Sequence, residues 1–261
     1  TGAVTWSHIP DGGCSSYNTP LVADINNDGN KEIVYHAHDF DHATTSSVHR
    51  TETAYALDRN GNELWHFYMA SFGYVSPIMA DFDNDGKLDM LIGGDEEINL
   101  LDAATGALKW KYVTGANSRV QAPDTHYNFV GNAAVADINK DGVLDIAFSL
   151  FNAIDDATLN GLFVLKGSNG ALEWRTTFPS LEYQGSGFPN SPIITDIDND
   201  GNLEILFVYS RVLGDGSLPT DNPESYVVAY DGNGNQKFSI SHLAPGTFVS
   251  NLEVADINDD G

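Results

Sequence analysis

The 261 residues hold 37 acids against 12 bases, a formal charge of −25, which argues against nucleic acid as a partner, since that requires a basic face. With 41% hydrophobic and 11% aromatic residues the chain can build a sizeable globular core, yet no apolar run reaches the eighteen residues that would span a membrane. Cys14 is the single cysteine, so an internal disulfide and a cysteine-based zinc or redox motif are excluded, and it reads as a small buried or half-buried side chain.

The first residues, Thr1-Gly2-Ala3-Val4-Thr5-Trp6, match Thr105-Gly106-Ala107-Leu108-Lys109-Trp110 position for position in type. They have no charged or apolar leader character, so any signal peptide is expected upstream or removed. An aspartate-rich loop follows at Asp24, and it returns at Asp81, Asp137, Asp196 and Asp256, with spacings of 57, 56, 59 and 60 residues. Short apolar runs flank it, such as Ser76-Pro77-Ile78-Met79-Ala80 before and Met90-Leu91-Ile92 after, and these read as strands of five or six residues.

A second motif alternates with the first: Leu57-Asp58 through Gly61 to Trp65, Leu101-Asp102 through Gly106 to Trp110, Leu165 through Gly170 to Trp174, and Tyr230-Asp231 through Gly234 to Phe238. Each reads as a hairpin: a strand, a Gly/Asn turn and a strand ending in an aromatic. No segment sustains a 3.6-residue period, so helix should be scarce. Four strands per repeat of roughly 58 residues is the size of a β-propeller blade.

The expected fold is therefore all-β, a β-propeller of four-stranded blades with calcium loops. Blades are expected at about 11–67, 68–124, 125–182 and 183–245, with partial blades at 1–10 and 246–261. Because 1–6 match a hairpin and Asp256 to Gly261 match an interrupted loop, the chain reads as a segment of a longer propeller of seven or eight blades.

The loop chemistry points to calcium. Positions 1, 3 and 5 are Asp24, Asn26 and Asp28; Asp81, Asp83 and Asp85; Asp137, Asn139 and Asp141; Asp196, Asp198 and Asp200. Position 6 is always glycine, which permits the sharp turn, and position 9 is always acidic: Glu32, Asp89, Asp145 and Glu204. Position 7 holds Asn30, Lys87, Val143 and Asn202; lysine and valine have no side-chain oxygen, so this ligand is expected to be a backbone carbonyl. The fifth, truncated copy supplies Asp256, Asn258 and Asp260.

An EF-hand is excluded, since position 12 is Tyr35, Ile92, Phe148 or Phe207 rather than glutamate and the flanks are strands. An all-oxygen set suits neither zinc nor copper, and magnesium prefers fewer protein ligands. A metal-free Asx/Gly turn is the bland alternative, but three or four carboxylates in one loop repel without a cation. Sixteen of the 37 acids fall at ligand positions, and five calcium ions would bring −25 to −15, leaving the surface acidic.

Phe72-Gly73, Pro77 and Asp81-Phe82-Asp83-Asn84-Asp85-Gly86-Lys87-Leu88-Asp89 resemble the FG-GAP or VCBS-type repeat, the calcium-binding blade of integrin α-subunit propellers and secreted bacterial proteins. The hairpins are similar to those of quinoprotein-type propellers, where a glycine turn leads to a tryptophan. Glu32-Ile33-Val34, Ala54 to Asp58 and Gly61 to Trp65 resemble blades of calcium-rich rhamnogalacturonan lyases.

The resemblance implies a secreted or cell-surface module for binding, adhesion or surface assembly, with structural calcium. Its partners would be carbohydrate or protein ligands at the cell surface or in a matrix, or further copies of itself. The alternative it implies is a polysaccharide lyase of the rhamnogalacturonan lyase kind, or another carbohydrate-active enzyme. His36, His38, Asp39, Asp41, His42, His49 and Arg50 form an unusual insertion: a second metal site, part of a polysaccharide cleft, or a polar solvated loop. Tyr74, Phe178, Tyr183 and Phe188 either stack on sugars or pack between blades.

Overall fold

The computed structural model describes residues 4–10, 19–40, 50–69, 75–94, 97–115, 128–152, 160–177, 191–212, 223–241 and 252–256. These residues form strands, turns and extended chain, with no helix among them. The chain divides into two compact units, Thr1–Thr125 and His126–Gly261, with two antiparallel sheets in each.

In the first unit, one sheet runs β1 (Leu21–Ala23), β2 (Glu32–Phe40), β3 (Arg50–Leu57) and β4 (Glu63–Met69), each strand paired with the next. The other repeats this with β5 (Val75–Ala80), β6 (Asp89–Gly93), β7 (Glu97–Asp102) and β8 (Leu108–Val113). In the second unit the third sheet comprises β9 (Asn128–Val130), β10 (Ala134–Ala136), β11 (Asp145–Asn152), β12 (Gly161–Lys166) and β13 (Leu172–Arg175). The fourth is β14 (Ile193–Thr195), β15 (Glu204–Val212), β16 (Pro223–Tyr230) and β17 (Gln236–Ser241). Each sheet is an up-and-down meander, the form of a propeller blade, as the repeat predicts.

Two expectations need correction. The third sheet has a fifth strand, because its first strand is broken: β10 pairs Ala134–Ala136 with β11, and β9 continues along the same edge opposite Leu150–Asn152. The sheet remains four strands wide. The insertion in the first repeat is not wholly a loop either. His36, His38 and Asp39 lie on β2 and Arg50 on β3, because the two strands pair in continuous register from Ile33↔Leu57 to Phe40↔Arg50. Strands thus run from three to nine residues rather than five or six.

The middle strands are covered on both faces. Met90, Leu91 and Ile92 of β6 and Leu162, Phe163 and Val164 of β12 have no exposed surface, which explains their unbroken apolar character. The fourth strand is the exposed edge and alternates: in β4, Trp65 and Met69 are buried while His66 and Tyr68 are exposed. Trp65, Met69, Val34, Met90 and Ile92 form one core in the first unit, and Ile138, Val164, Phe207, Tyr209 and Val228 form one in the second. Burying each of these larger side chains contributes about 1.5–3 kcal/mol.

Candidate metal centres

Each aspartate loop joins the first strand of a sheet to the second. Position 9 is the first residue of the second strand and pairs with the last residue of the first: Ala23↔Glu32, Ala80↔Asp89, Ala136↔Asp145 and Thr195↔Glu204. Sheet pairing therefore fixes the ninth carboxylate before any metal is considered.

The loop backbone is the same four times. Position 4 takes the left-handed conformation at Asn27, Asn84, Lys140 and Asn199, with φ of 58°, 58°, 60° and 56°. Position 6 follows with φ near the same region, +82° at Gly86, where an added Cβ would meet nothing within 4 Å. Glycine is required there by the backbone angle, not by crowding. The position 1 carboxylate accepts the position 6 amide: Gly29, Gly86, Gly142 and Gly201 donate to Asp24, Asp81, Asp137 and Asp196 at 2.9, 2.9, 2.9 and 2.8 Å. The position 5 carboxylate accepts the position 7 amide at 2.7 to 2.9 Å, from Asn30, Lys87, Val143 and Asn202.

The ninth carboxylates, Glu32, Asp89, Asp145 and Glu204, are buried in every loop. Each accepts the backbone N–H of position 2, from Ile25, Phe82, Ile138 and Ile197, at 3.0 to 3.1 Å. Position 2 went unread in the sequence, although it is apolar in every copy. Ile25, Phe82 and Ile138 are buried and anchor the loop to the core, while Ile197 is 37% exposed.

The charges within a loop are tuned in opposite directions. Burial raises the Glu32, Asp89 and Asp145 carboxyls, Asp145 to about 6, where Glu173 adds to the effect. Hydrogen bonds from the position 7 amides hold Asp28, Asp85 and Asp200 below the usual carboxylate range, and the Lys166 ammonium does the same for Asp141.

Asp81, Asp83 and Asp85 bring carboxylate oxygens within 4.8 Å of one another, as do Asp196, Asp198 and Glu204, and each set could hold a metal ion. In the third loop, Asp137 Oδ1 and Asp145 Oδ1 are buried with no hydrogen-bond partner among the described residues, and Asp83 Oδ1 is the same in the second. Buried carboxylate oxygens left unpaired are costly unless a cation meets them, and an all-oxygen set suits a hard one. The donors present therefore fit a hard cation. Asp256 is exposed, and Asn258 and Asp260 lie outside the described residues.

Basic groups reach the loops from the hairpins. Lys109 Nζ stands 2.7 Å from Asp83 Oδ2, 3.6 Å from Asp85 Oδ2 and 2.7 Å from Asp89 Oδ1. Lys237 Nζ stands 2.6, 3.6 and 2.8 Å from Asp198, Asp200 and Glu204. Burial would lower the Lys109 ammonium, but its hydrogen bonds to Asp83 and Asp89 outweigh this and raise it; Asp198 and Glu204 raise Lys237. Neither lysine was singled out from sequence.

His36 is fully buried 3.7 Å from the equally buried Glu52, which removes it from any solvated loop. The side chains of His38, Asp39 and Arg50 are not described, and Cys14, Asp41, His42, His49, Tyr74, Phe178, Tyr183 and Phe188 lie outside the described residues.

The repeat and the fold have counterparts among known proteins. Residues 81–148, from the second loop through the third, match the FG-GAP-like repeat. The chain thus carries FG-GAP-like repeat sequence on propeller-type blades. Cartilage acidic protein 1 of Mus musculus and that of Homo sapiens are each 26% identical over 139 residues, 51% of this chain. The match spans only 20% of those proteins' length. Rhamnogalacturonan lyase YesW is similar in structure, with a TM-score of 0.53 at 15% identity over 90% of this chain and 45% of that one, a likeness of fold alone. The V. cholerae biofilm matrix protein Bap1 has a TM-score of 0.44 at 18% identity, over 94% of this chain and 44% of its own. Among the described residues no helix is long and apolar enough to cross a membrane.

Proposed function

We propose that the chain is a calcium-stabilised β-propeller module, secreted or displayed at the cell surface, that binds carbohydrate or protein ligands in adhesion or surface assembly. The carrying observation is the buried ninth carboxylate, present in all four loops at the head of the second strand. A buried acid held at one point beside two or three further loop carboxylates invites a hard cation. Each ion would be held by positions 1, 3, 5 and 9 and by the position 7 carbonyl, as at Lys87 and Val143. Calcium here is structural: it neutralises the loop and ties the first strand of a blade to the second. Loops of this kind suit calcium-rich extracellular surroundings, and the acidic surface suits a soluble, displayed module.

Binding is tested by passing the chain over immobilised polysaccharides and matrix proteins, in calcium and in chelator. Retention in calcium that is lost in chelator is the expected result. No retention on any surface contradicts the binding reading. Absorbance of unsaturated uronate released from pectin-type substrates would instead establish a lyase.

A further inference from the structure

One position recurs on the fourth strand of each sheet, the residue before the hairpin aromatic, and in three sheets its side chain reaches the loop. It is Leu64, Lys109, Glu173 and Lys237 in the four sheets. Leu64 is 44% exposed and brings no charge, and the base that reaches the first loop, Arg59, donates to the position 7 side chain, Asn30 Oδ1, at 3.2 Å instead of bridging positions 3 and 9. Lys109 and Lys237 each bridge positions 3, 5 and 9 of their loops. Glu173 does the reverse: its carboxylate accepts hydrogen bonds from Asn139 Nδ2 at 3.1 and 3.4 Å, adding negative charge beside position 3. Lys166 meets the third loop too, but only at Asp141 Oδ2, 2.5 Å away, leaving Asp137 Oδ1 and Asp145 Oδ1 unpartnered among the described residues.

The loops themselves vary in step. The two loops bridged by a lysine across positions 3, 5 and 9 carry aspartate at position 3, Asp83 and Asp198, while the two that are not so bridged carry asparagine, Asn26 and Asn139. An added acid is matched by an added base from a strand more than twenty residues away.

We propose that Lys109 and Lys237 are built-in cations that hold the second and fourth loops together without metal and compete with calcium for them, whereas the first and third loops depend on the metal. This rests on the calcium reading above. An ammonium between positions 3 and 9 stands among the carboxylates a metal would bind, so an entering ion must displace it or share their charge with it. Glu173 makes the third loop the most demanding of a cation.

The test uses the whole chain, stripped with chelator, with the variants Lys109→Met, Lys237→Met, Glu173→Gln and the charge-matched pair Lys109→Met with Asp83→Asn. Melting in chelator and calorimetric calcium titration are measured on each. Each lysine variant should melt lower in chelator yet bind one calcium about tenfold more tightly or better. Asp83→Asn should restore the chelator melt of Lys109→Met, which a lysine that merely packs would not permit. Glu173→Gln should melt higher in chelator and weaken the tight calcium class.

Lysine variants whose melts and titrations superimpose on the wild type, or that bind calcium more weakly, overturn the inference while a wild type that takes up calcium keeps the calcium reading. If wild type and variants alike take up no calcium, both fall.

Discussion

The Trp65 indole of the first sheet lies flat against Gly106 in the hairpin of the second, where an added Cβ would stand 2.8 Å from Trp65 Cδ2. Its N–H donates to Ala103 O at 3.0 Å. Trp6 repeats the arrangement on Gly61 with Arg59 O, and Trp174 on Gly234 with Gly232 O. The hairpin aromatic of one repeat is thus read by the hairpin glycine of the next.

That glycine is constrained twice, by a φ of +71° and by the indole. In chelator, Gly86→Ala should cost about 1–2 kcal/mol, from the left-handed backbone alone. Gly106→Ala should cost about 2–4 kcal/mol, since overpacking against Trp65 adds to that strain. Urea denaturation of the two variants checks the order. Equal costs would show that the indole gives way freely.

Trp65→Ala removes a side chain that is only 7% exposed and should destabilise by about 3–5 kcal/mol. Trp174→Phe keeps most of the ring but loses the bond to Gly232, and should cost about 0.5–1.5 kcal/mol beyond the change in packing. Chemical denaturation measures both.

How far the sequence reveals all this follows from range. The loop was legible because its acids and its glycine lie within nine residues, and the local backbone dictates their types. The hairpins were legible for the same reason. The contact of Trp65 with Gly106 was not, because it joins two repeats 41 residues apart and depends on how sheets stack. Lys109 and Lys237 were hidden likewise: only meander pairing brings the fourth strand over the loop. The long β2 was masked by His36, His38 and Asp39, polar residues that suggest a loop, although its partner strand holds them in register.

Asp145→Asn should behave oppositely in the two buffers. With calcium it removes a ligand and should lower the melting temperature. In chelator it replaces a buried acid, one oxygen of which has no partner among the described residues, and should raise it at neutral pH. Paired thermal melts check the crossing. Destabilisation by the same amount in both buffers would mean that the carboxylate serves the loop without a metal.

Position 7 is expected to bind through its carbonyl, so its side chain should be dispensable. Lys87→Ala should leave calcium affinity unchanged or slightly tighter, while Asp85→Asn should weaken that loop markedly. Calcium titration of the two variants decides between them.

Thermal melting of the unaltered chain across a calcium series, against chelator, is the most direct check on structural calcium. Occupancy at a hundredfold above the dissociation constant stabilises by about 2.7 kcal/mol per site, so the melting temperature should climb steadily with calcium and collapse in chelator. Superimposed melts, with and without calcium, would contradict it.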